Sequence, residues 1–287
     1  MKSVLRKLRN HYRKKQKLKK IKKGEMITFD QLVLDFKNLG IEEGDVVFVH
    51  SSLSRIGYVE NGPETVIEAL KSVIGKEGTL LFPAFSFSGG GVYGTISNPD
   101  YVFNPKVEPS YVGKISDVFW RMKGVERSLH PTHSVAAFGK LAKEITKDHS
   151  NLGTNWGKGT PFGKMLDLNA KMIGIGVKLP YYTFFHCVED YEPDLFQGLY
   201  EPNKIPVKIQ CENELKTFEI PYHNLDYTKD RIEVNSAIEK VFTEHFLSSG
   251  KLNSGIVGKA DTLIITAKDF YDLTVELAKR GQTIYKV

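Results

Sequence analysis

The stretch DVVFVHSSLSRIG (residues 45–57) decides the architecture. Its first half is a nearly continuous run of β-branched and aromatic side chains, the pattern of a strand covered on both faces. Its second half, HSSLSRIG, is a loop that leaves the C-terminal end of that strand, where ligands of open α/β sheets bind. Outward from it, helix and strand signals alternate. Upstream, Thr28 with Gln31 makes a capping box that opens TFDQLVLDFKNLG, with Leu32, Phe36 and Leu39 on one face and Gly40 as its stop. Downstream, Pro63 suits a first helical turn, and Val66, Ile67, Leu70 and Val73 form an apolar stripe before Gly75.

The buried-strand pattern returns in GTLLFPAF (residues 78–85) and MIGIGV (residues 172–177). IEVNSAIEKVFTEHFL (residues 232–247) and AKDFYDLTVELAKR (residues 267–280) read as amphipathic helices. Between MIGIGV and these helices, IPVKIQCENELKTFEIPY (residues 205–222) alternates polar and apolar residues around Glu212 and Asn213, an antiparallel hairpin facing solvent. The class is α/β with a mixed sheet. The Gly- and Pro-rich stretch from Ser86 to Ser110 reads as a long surface loop, a candidate for closing over a ligand.

At 287 residues and 41% hydrophobic content the chain can bury a substantial core. No apolar run is long enough to span a bilayer or serve as a secretory signal, so a cytoplasmic location is expected. Cys187 and Cys211 lack the spacing of a thiolate metal site, and two cysteines make no disulfide framework. Residues 1–24 hold 12 of the 40 Lys and Arg and no acid; the other 263 residues carry 28 basic against 34 acidic groups. The domain expectation is therefore a basic arm at 1–24 and a single domain at 25–287. Leu5, Leu8 and Tyr12 have helical spacing, so residues 2–23 fit a helix on the inner face of a membrane, one docked on an acidic face, or a solvated tail. A homodimer is open. No basic run with interleaved aromatics recurs in the body, which argues against nucleic acid.

Gly89, Gly91 and Gly94 have GxGxxG spacing, but the following TISNPDYVFNP does not make a pyrophosphate-binding helix, so a flexible loop is expected. GxxxxGK[ST] and GxSxG are absent, against a P-loop enzyme and a serine hydrolase. His130, His133 and His186 lack HExxH or HxH spacing, so no metal is expected.

YYTFFHCVEDYEP (residues 181–193) places His186 among aromatic side chains, open to three readings: packing, metal ligand or general base. On a helix, Glu189 and Asp190 lie three and four residues beyond it, and either carboxylate can fix its tautomer and raise its basicity. Cys187 points about 100° away, against a Cys–His nucleophilic pair.

FNPKVEPSYVGKISDVFWRMKGVERSLHPTHSVAAFGK (residues 103–140) strongly resembles the aminoglycoside 3-N-acetyltransferase family, and VHSSLSRIG (residues 49–57), GTPFGKM (residues 159–165) and TFFHCVE (residues 183–189) agree in order. The resemblance runs from about Phe29 to the C-terminus. It implies a three-layer α/β/α enzyme that moves an acyl group from acyl-CoA, acetyl-CoA or a longer thioester, to an amine on a sugar, without metal. It further implies His186 as the base, with Glu189 as its orienting partner; an imidazole suits the task because its ordinary pKa is about 6.5. His133 is a second candidate imidazole. Ser51, Ser52 and Ser54, with Arg127 and Ser134, are the expected coenzyme contacts. Tyr182, Thr183, His130 and Asp190 are the expected substrate contacts. For the acceptor, the basic arm favours a nucleotide-linked amino sugar of surface polysaccharide synthesis; an aminoglycoside antibiotic is the alternative, and a non-catalytic sugar-binding protein a remote one.

Overall fold

Strands with side chains on two faces need cover on both, and period-two alternation divides their residues between two cores. The computed structural model describes residues 26–87, 91–151 and 153–287; the basic arm lies outside them. The strands that place the site are β1 (Val46–Ser51), β2 (Thr79–Pro83), β3 (Glu126–Arg127), β4 (Val135–Gly139), β5 (Lys171–Ile175), β6 (Ile205–Cys211), β7 (Glu214–Ile220), β8 (Asn253–Val257) and β9 (Ala260–Thr266). Seven of them form one sheet in the order β8-β9-β5-β1-β2-β4-β3. Its middle is parallel, with β1 between β5 and β2, and antiparallel pairs extend both edges.

The helices are α1 (Phe29–Asn38), α2 (Pro63–Ile74), α3 (Pro161–Asp167), α4 (Phe185–Tyr191), α5 (Ser236–Ser248) and α6 (Ala267–Lys279). Val47 and Val49 of β1, Leu80 and Phe82 of β2, and Ile173 and Ile175 of β5 pack with Leu32, Phe36, Val66 and Leu70 of α1 and α2. Their neighbours Phe48, Leu81 and Met172 face the other way, into a core with Phe162, Phe185, Phe242 and Phe270 of α3 to α6. Each fully buried Val, Leu, Ile or Phe contributes roughly 1.5–3 kcal/mol of transfer free energy. The result is the expected three-layer α/β/α arrangement around a mixed sheet.

The hairpin also forms: β6 and β7 pair antiparallel with Cys211 opposite Glu214, leaving Glu212 and Asn213 as a two-residue turn. Glu212 has φ +50°, the left-handed conformation such turns require. The described part of the excursion after Ser86 departs from a loop. Gly91–Ile96 is a short helix, and Val102–Phe103 adds to β6 as a third, parallel strand. An unpaired edge on β6 supplied a backbone partner that the Gly and Pro content does not advertise.

Gly174 in MIGIGV has a packing reason. A β-carbon there would stand 2.3 Å from the Tyr182 hydroxyl oxygen. Tyr182 is buried, donates to the Leu263 carbonyl at 2.9 Å and stacks on His50 with centroids 5.2 Å apart. Gly174→Ala is expected to lower stability by about 1–3 kcal/mol, as overpacking does. In a thermal melt the Tm should fall by several degrees; an unchanged Tm would show that Tyr182 has room this packing denies it.

Candidate active site

The C-terminal ends of the parallel strands and the loops after them enclose a cavity of about 480 Å³, lined by Ser51 and Arg55 after β1, Phe85 after β2, and Lys178 and Thr183 after β5. A second cavity, of about 350 Å³, has His133, Trp156, His186, His223 and Tyr285 in its wall. Glu233 lines both.

In the second wall, α4 sets His186 and Glu189 one turn apart, as their i,i+3 spacing dictates. His186 Nδ1 lies 2.8 Å from Glu189 Oε2, with the imidazole 24% exposed and the carboxylate fully buried. A carboxylate only accepts, so Nδ1 carries the proton and the neutral ring keeps its lone pair on Nε2. Burial opposes the charged imidazole, but Glu189, with Glu233 and Asp190 behind it, outweighs burial and holds the His186 pKa above the ordinary histidine value. His223 stands on the other side of the same carboxylate, Nε2 3.5 Å from Oε2, with its ring 5.2 Å from that of His186. There burial dominates, and the His223 pKa is pushed down to about 4. One carboxylate thus sits between a raised and a depressed imidazole. Tyr285 also borders Glu189, and burial together with that charge pushes its phenol well up.

His186, Glu189 and His223 have ligand atoms close enough to suit a cation. In this arrangement Glu189 Oε2 and His186 Nδ1 already satisfy one another.

Of the other residues singled out from the sequence, Ser51 and Thr183 line the first cavity. Thr183 lines a different cavity from His186; its Oγ1 is 3.1 Å from His50 Nε2. The His50 pKa is driven down to about 3 by burial. Ser52 and Ser54 sit beside that loop with their hydroxyls 3.3 Å apart. His133 lines the second cavity, its ring 4.5 Å from Trp156.

Five expected contacts have other geometry. Arg127 has all five N–H groups engaged, by Ser134 Oγ, Ser86 Oγ and the carbonyls of Ala84, Pro105 and Glu108, and lies over the Trp120 ring. It straps Ala84, Ser86, Pro105 and Glu108 to the sheet and has no donor left for a phosphate. Ser134 is buried and donates to the Ala84 carbonyl at 2.7 Å. His130 is buried, accepts the backbone N–H of Thr132 and His133 at Nδ1 and donates to Asn155 Oδ1 at 3.0 Å, so it closes its own turn. Tyr182 belongs to the core. Asp190 accepts from Thr154 and Tyr200 hydroxyls and, at 2.9 Å, from the Trp156 N–H. It fixes the segment that carries Trp156, whose buried ring stands between His133 and His186.

Sequence reasoning missed Trp156, His223, Glu233 and Tyr285. Trp156 comes from one loop, His223 and Glu233 from the connection between β7 and α5, and Tyr285 from the C-terminal segment, and none recurs at a spacing that links it to His186. His223, one residue past the expected hairpin, was the findable one, as a lone imidazole beside a Pro–Tyr turn.

The family model for aminoglycoside 3-N-acetyltransferase matches residues 48–279. Aminoglycoside N(3)-acetyltransferase VII of Streptomyces paromomycinus is 28% identical over 273 residues, covering 87% of this chain and 90% of that protein. The SPbeta prophage-derived aminoglycoside N(3')-acetyltransferase-like protein YokD of Bacillus subtilis is 29% identical over 252 residues, covering 79% and 85%. Among solved structures, AAC-IIIb in binary complex with coenzyme A has TM-score 0.78 at 24% identity, covering 90% of this chain and 98% of that one, a likeness of fold. A mutant of AAC(3)-IVa in complex with a gentamicin has TM-score 0.71 at 25% identity, covering 90% of each. The chain belongs to the aminoglycoside 3-N-acetyltransferase family. It is an N-acyltransferase with acyl-CoA as co-substrate.

Two outcomes follow from this geometry. Because the His186 pKa is raised, its base form is lost below that pKa and grows as pH rises through it. The acid limb of the kcat/KM–pH profile should therefore lie above the ordinary histidine value of about 6.5. Glu189→Gln removes the charge that stabilises the imidazolium, so the limb should move to lower pH while the rate falls; a limb unmoved in that variant contradicts the pairing. Arg127→Met should cost at least about 2 kcal/mol of stability by denaturant unfolding, since it orphans buried acceptors. A variant that instead kept full stability and lost only coenzyme A affinity would restore Arg127 to the donor site.

Proposed function

We propose that the protein acetylates an amino group of an aminoglycoside, with acetyl-CoA as donor and His186 as general base. The observation that carries this reading is the His186–Glu189 pair at the wall of the second cavity, next to the first cavity at the C-terminal edge of the parallel strands. The first suits the coenzyme arm: Arg55 and Lys178 line it, and Lys259 lies beside it. Lys178 is paired with Glu239 at 2.8 Å, so Arg55 and Lys259 are the cations free for phosphate oxygens among these three. Ser51 and Thr183 offer hydroxyls deeper in, where the pantetheine amides would lie.

The acceptor enters beside His186, Trp156 and His133. The neutral amine attacks the thioester carbonyl; the N–C bond forms as its proton passes to His186 Nε2. The C–S bond then breaks, and the proton from His186 goes to the leaving sulfur, giving amide and free thiol. Glu189 holds Nδ1–H throughout, so the ring stays in the tautomer that presents Nε2 and its positive charge is balanced as it forms. No acyl-enzyme is needed. Cys187 is buried, and burial pushes its thiol well up, away from nucleophilic form.

The relatives correct the acceptor favoured from the basic arm. The family is described by aminoglycoside acetylation, and the named neighbours carry the same description, so a nucleotide-linked sugar has no support beyond an arm outside the described residues. Membrane contact through residues 2–23 and a homodimer form no part of the reading. Among the described residues, no helix is long and apolar enough to cross a membrane. Residues 25–287 are taken as one catalytic unit.

A thiol-release assay with acetyl-CoA, run in parallel on aminoglycosides and nucleotide-linked amino sugars, tests this directly. Turnover is expected with at least one aminoglycoside, and His186→Ala should lower kcat by roughly 10²–10⁴-fold. Turnover confined to the nucleotide-linked sugars, or full activity in His186→Ala, would overturn it.

A further inference from the structure

Glu233 is the residue common to the linings of the two cavities. Its place is fixed by the backbone. Ile232, buried in the core, donates its N–H to the Ile284 carbonyl at 2.7 Å, and two residues past Glu233 the Asn235 side chain caps α5 by accepting the Ala237 N–H at 3.1 Å. The turn between them closes through the Val234 N–H on the Arg231 carbonyl at 2.9 Å. Glu233 is therefore presented from a held turn.

Its carboxylate is only 29% exposed, and Oε2 is shut off from solvent without a hydrogen-bond partner among the described residues. The Arg231 Nε is 3.5 Å away, on a side chain that is itself 57% exposed. A carboxylate withdrawn from water, with no hydrogen bond to Oε2 and only the Arg231 guanidinium at ion-pair distance, keeps capacity to accept a further donor. In the cavity beside His186 it is the one lining carboxylate among the described residues, since Glu189 is buried behind the imidazole. The donor's phosphates do not want a carboxylate. An amine does.

We infer that Glu233 binds the acceptor's reacting amino group at the junction of the two cavities and aims it at the thioester carbonyl, as a substrate-binding and orienting residue. The inference rests on the function proposed above and adds one specific role to it. One N–H of the amine is donated to the Glu233 carboxylate, while another faces His186 Nε2, so the nitrogen lone pair is left pointing along the passage from which the thioester comes. An acceptor whose amine is replaced by a hydroxyl keeps a single donor and satisfies only one of the two sites.

Glu233→Gln keeps shape and removes only the charge. By calorimetry and steady-state kinetics, the acceptor KM and Kd should rise about tenfold or more, while coenzyme A affinity stays within roughly twofold of wild type. The thermal melt should be unchanged, and Glu233→Asp should recover part of the loss. Acceptor affinity that stays within the same twofold band, or an equal weakening of coenzyme A, overturns the role given to Glu233 and leaves the His186 chemistry standing. If the wild-type enzyme turns over no aminoglycoside, the acceptor reading fails, and this inference fails with it.

Discussion

A fully buried carboxylate accepting a hydrogen bond from a partly open imidazole is the constraint on which the rest of the site depends. Glu189 has no water to stabilise its charge, so that charge must be met by donors in the wall, and His186 Nδ1–H at 2.8 Å is the nearest. The same contact decides which nitrogen the ring offers to the cavity. It also sets the pKa, because this charge, with Glu233 and Asp190 behind it, offsets the burial that leaves His50 and His130 neutral elsewhere in the molecule. A histidine in equal burial without such a carboxylate would be a base already too weak to take a proton from an attacking nitrogen.

The surrounding structure keeps that pair in place. Asp190, next to Glu189, anchors the segment that puts Trp156 between two imidazoles. Arg127 does similar work, tying Ala84, Ser86, Pro105 and Glu108 together beside Phe85 in the wall of the strand-end cavity. The sheet supplies the rest. Three parallel strands end together, and their following loops bring Ser51, Phe85 and Thr183 to one opening, although these residues are far apart in the chain.

Much of this was legible in the sequence where the physics is local. Apolar runs without polar alternation marked β1, β2 and β5, and the i,i+3 spacing of His186 and Glu189 placed them on one helix face before any fold was known. Four strands of the sheet, β3, β4, β8 and β9, went unread. β8 and β9 are joined through Gly258 and Lys259, and β8 alternates small and polar residues too weakly to stand out from a loop. Charge and ring type misled in the other direction. Arg127 looked like a phosphate ligand, and Tyr182 like a substrate contact, because a sequence does not say that carbonyls and hydroxyls from distant segments will engage every guanidinium N–H, or that Gly174 will leave a space a phenol ring fills. Trp156, His223 and Glu233 reach the site through long-range packing, which leaves no periodic trace.

Family membership and geometry converge on acyl transfer to an amine, and the geometry narrows it to one imidazole. The most direct test is an NMR titration of the His186 ring, with its nitrogens assigned, in the free enzyme. The account predicts a proton on Nδ1 in the neutral ring and a midpoint above the ordinary histidine value of about 6.5. A ring protonated on Nε2, or one that stays neutral to well below that value, would contradict it.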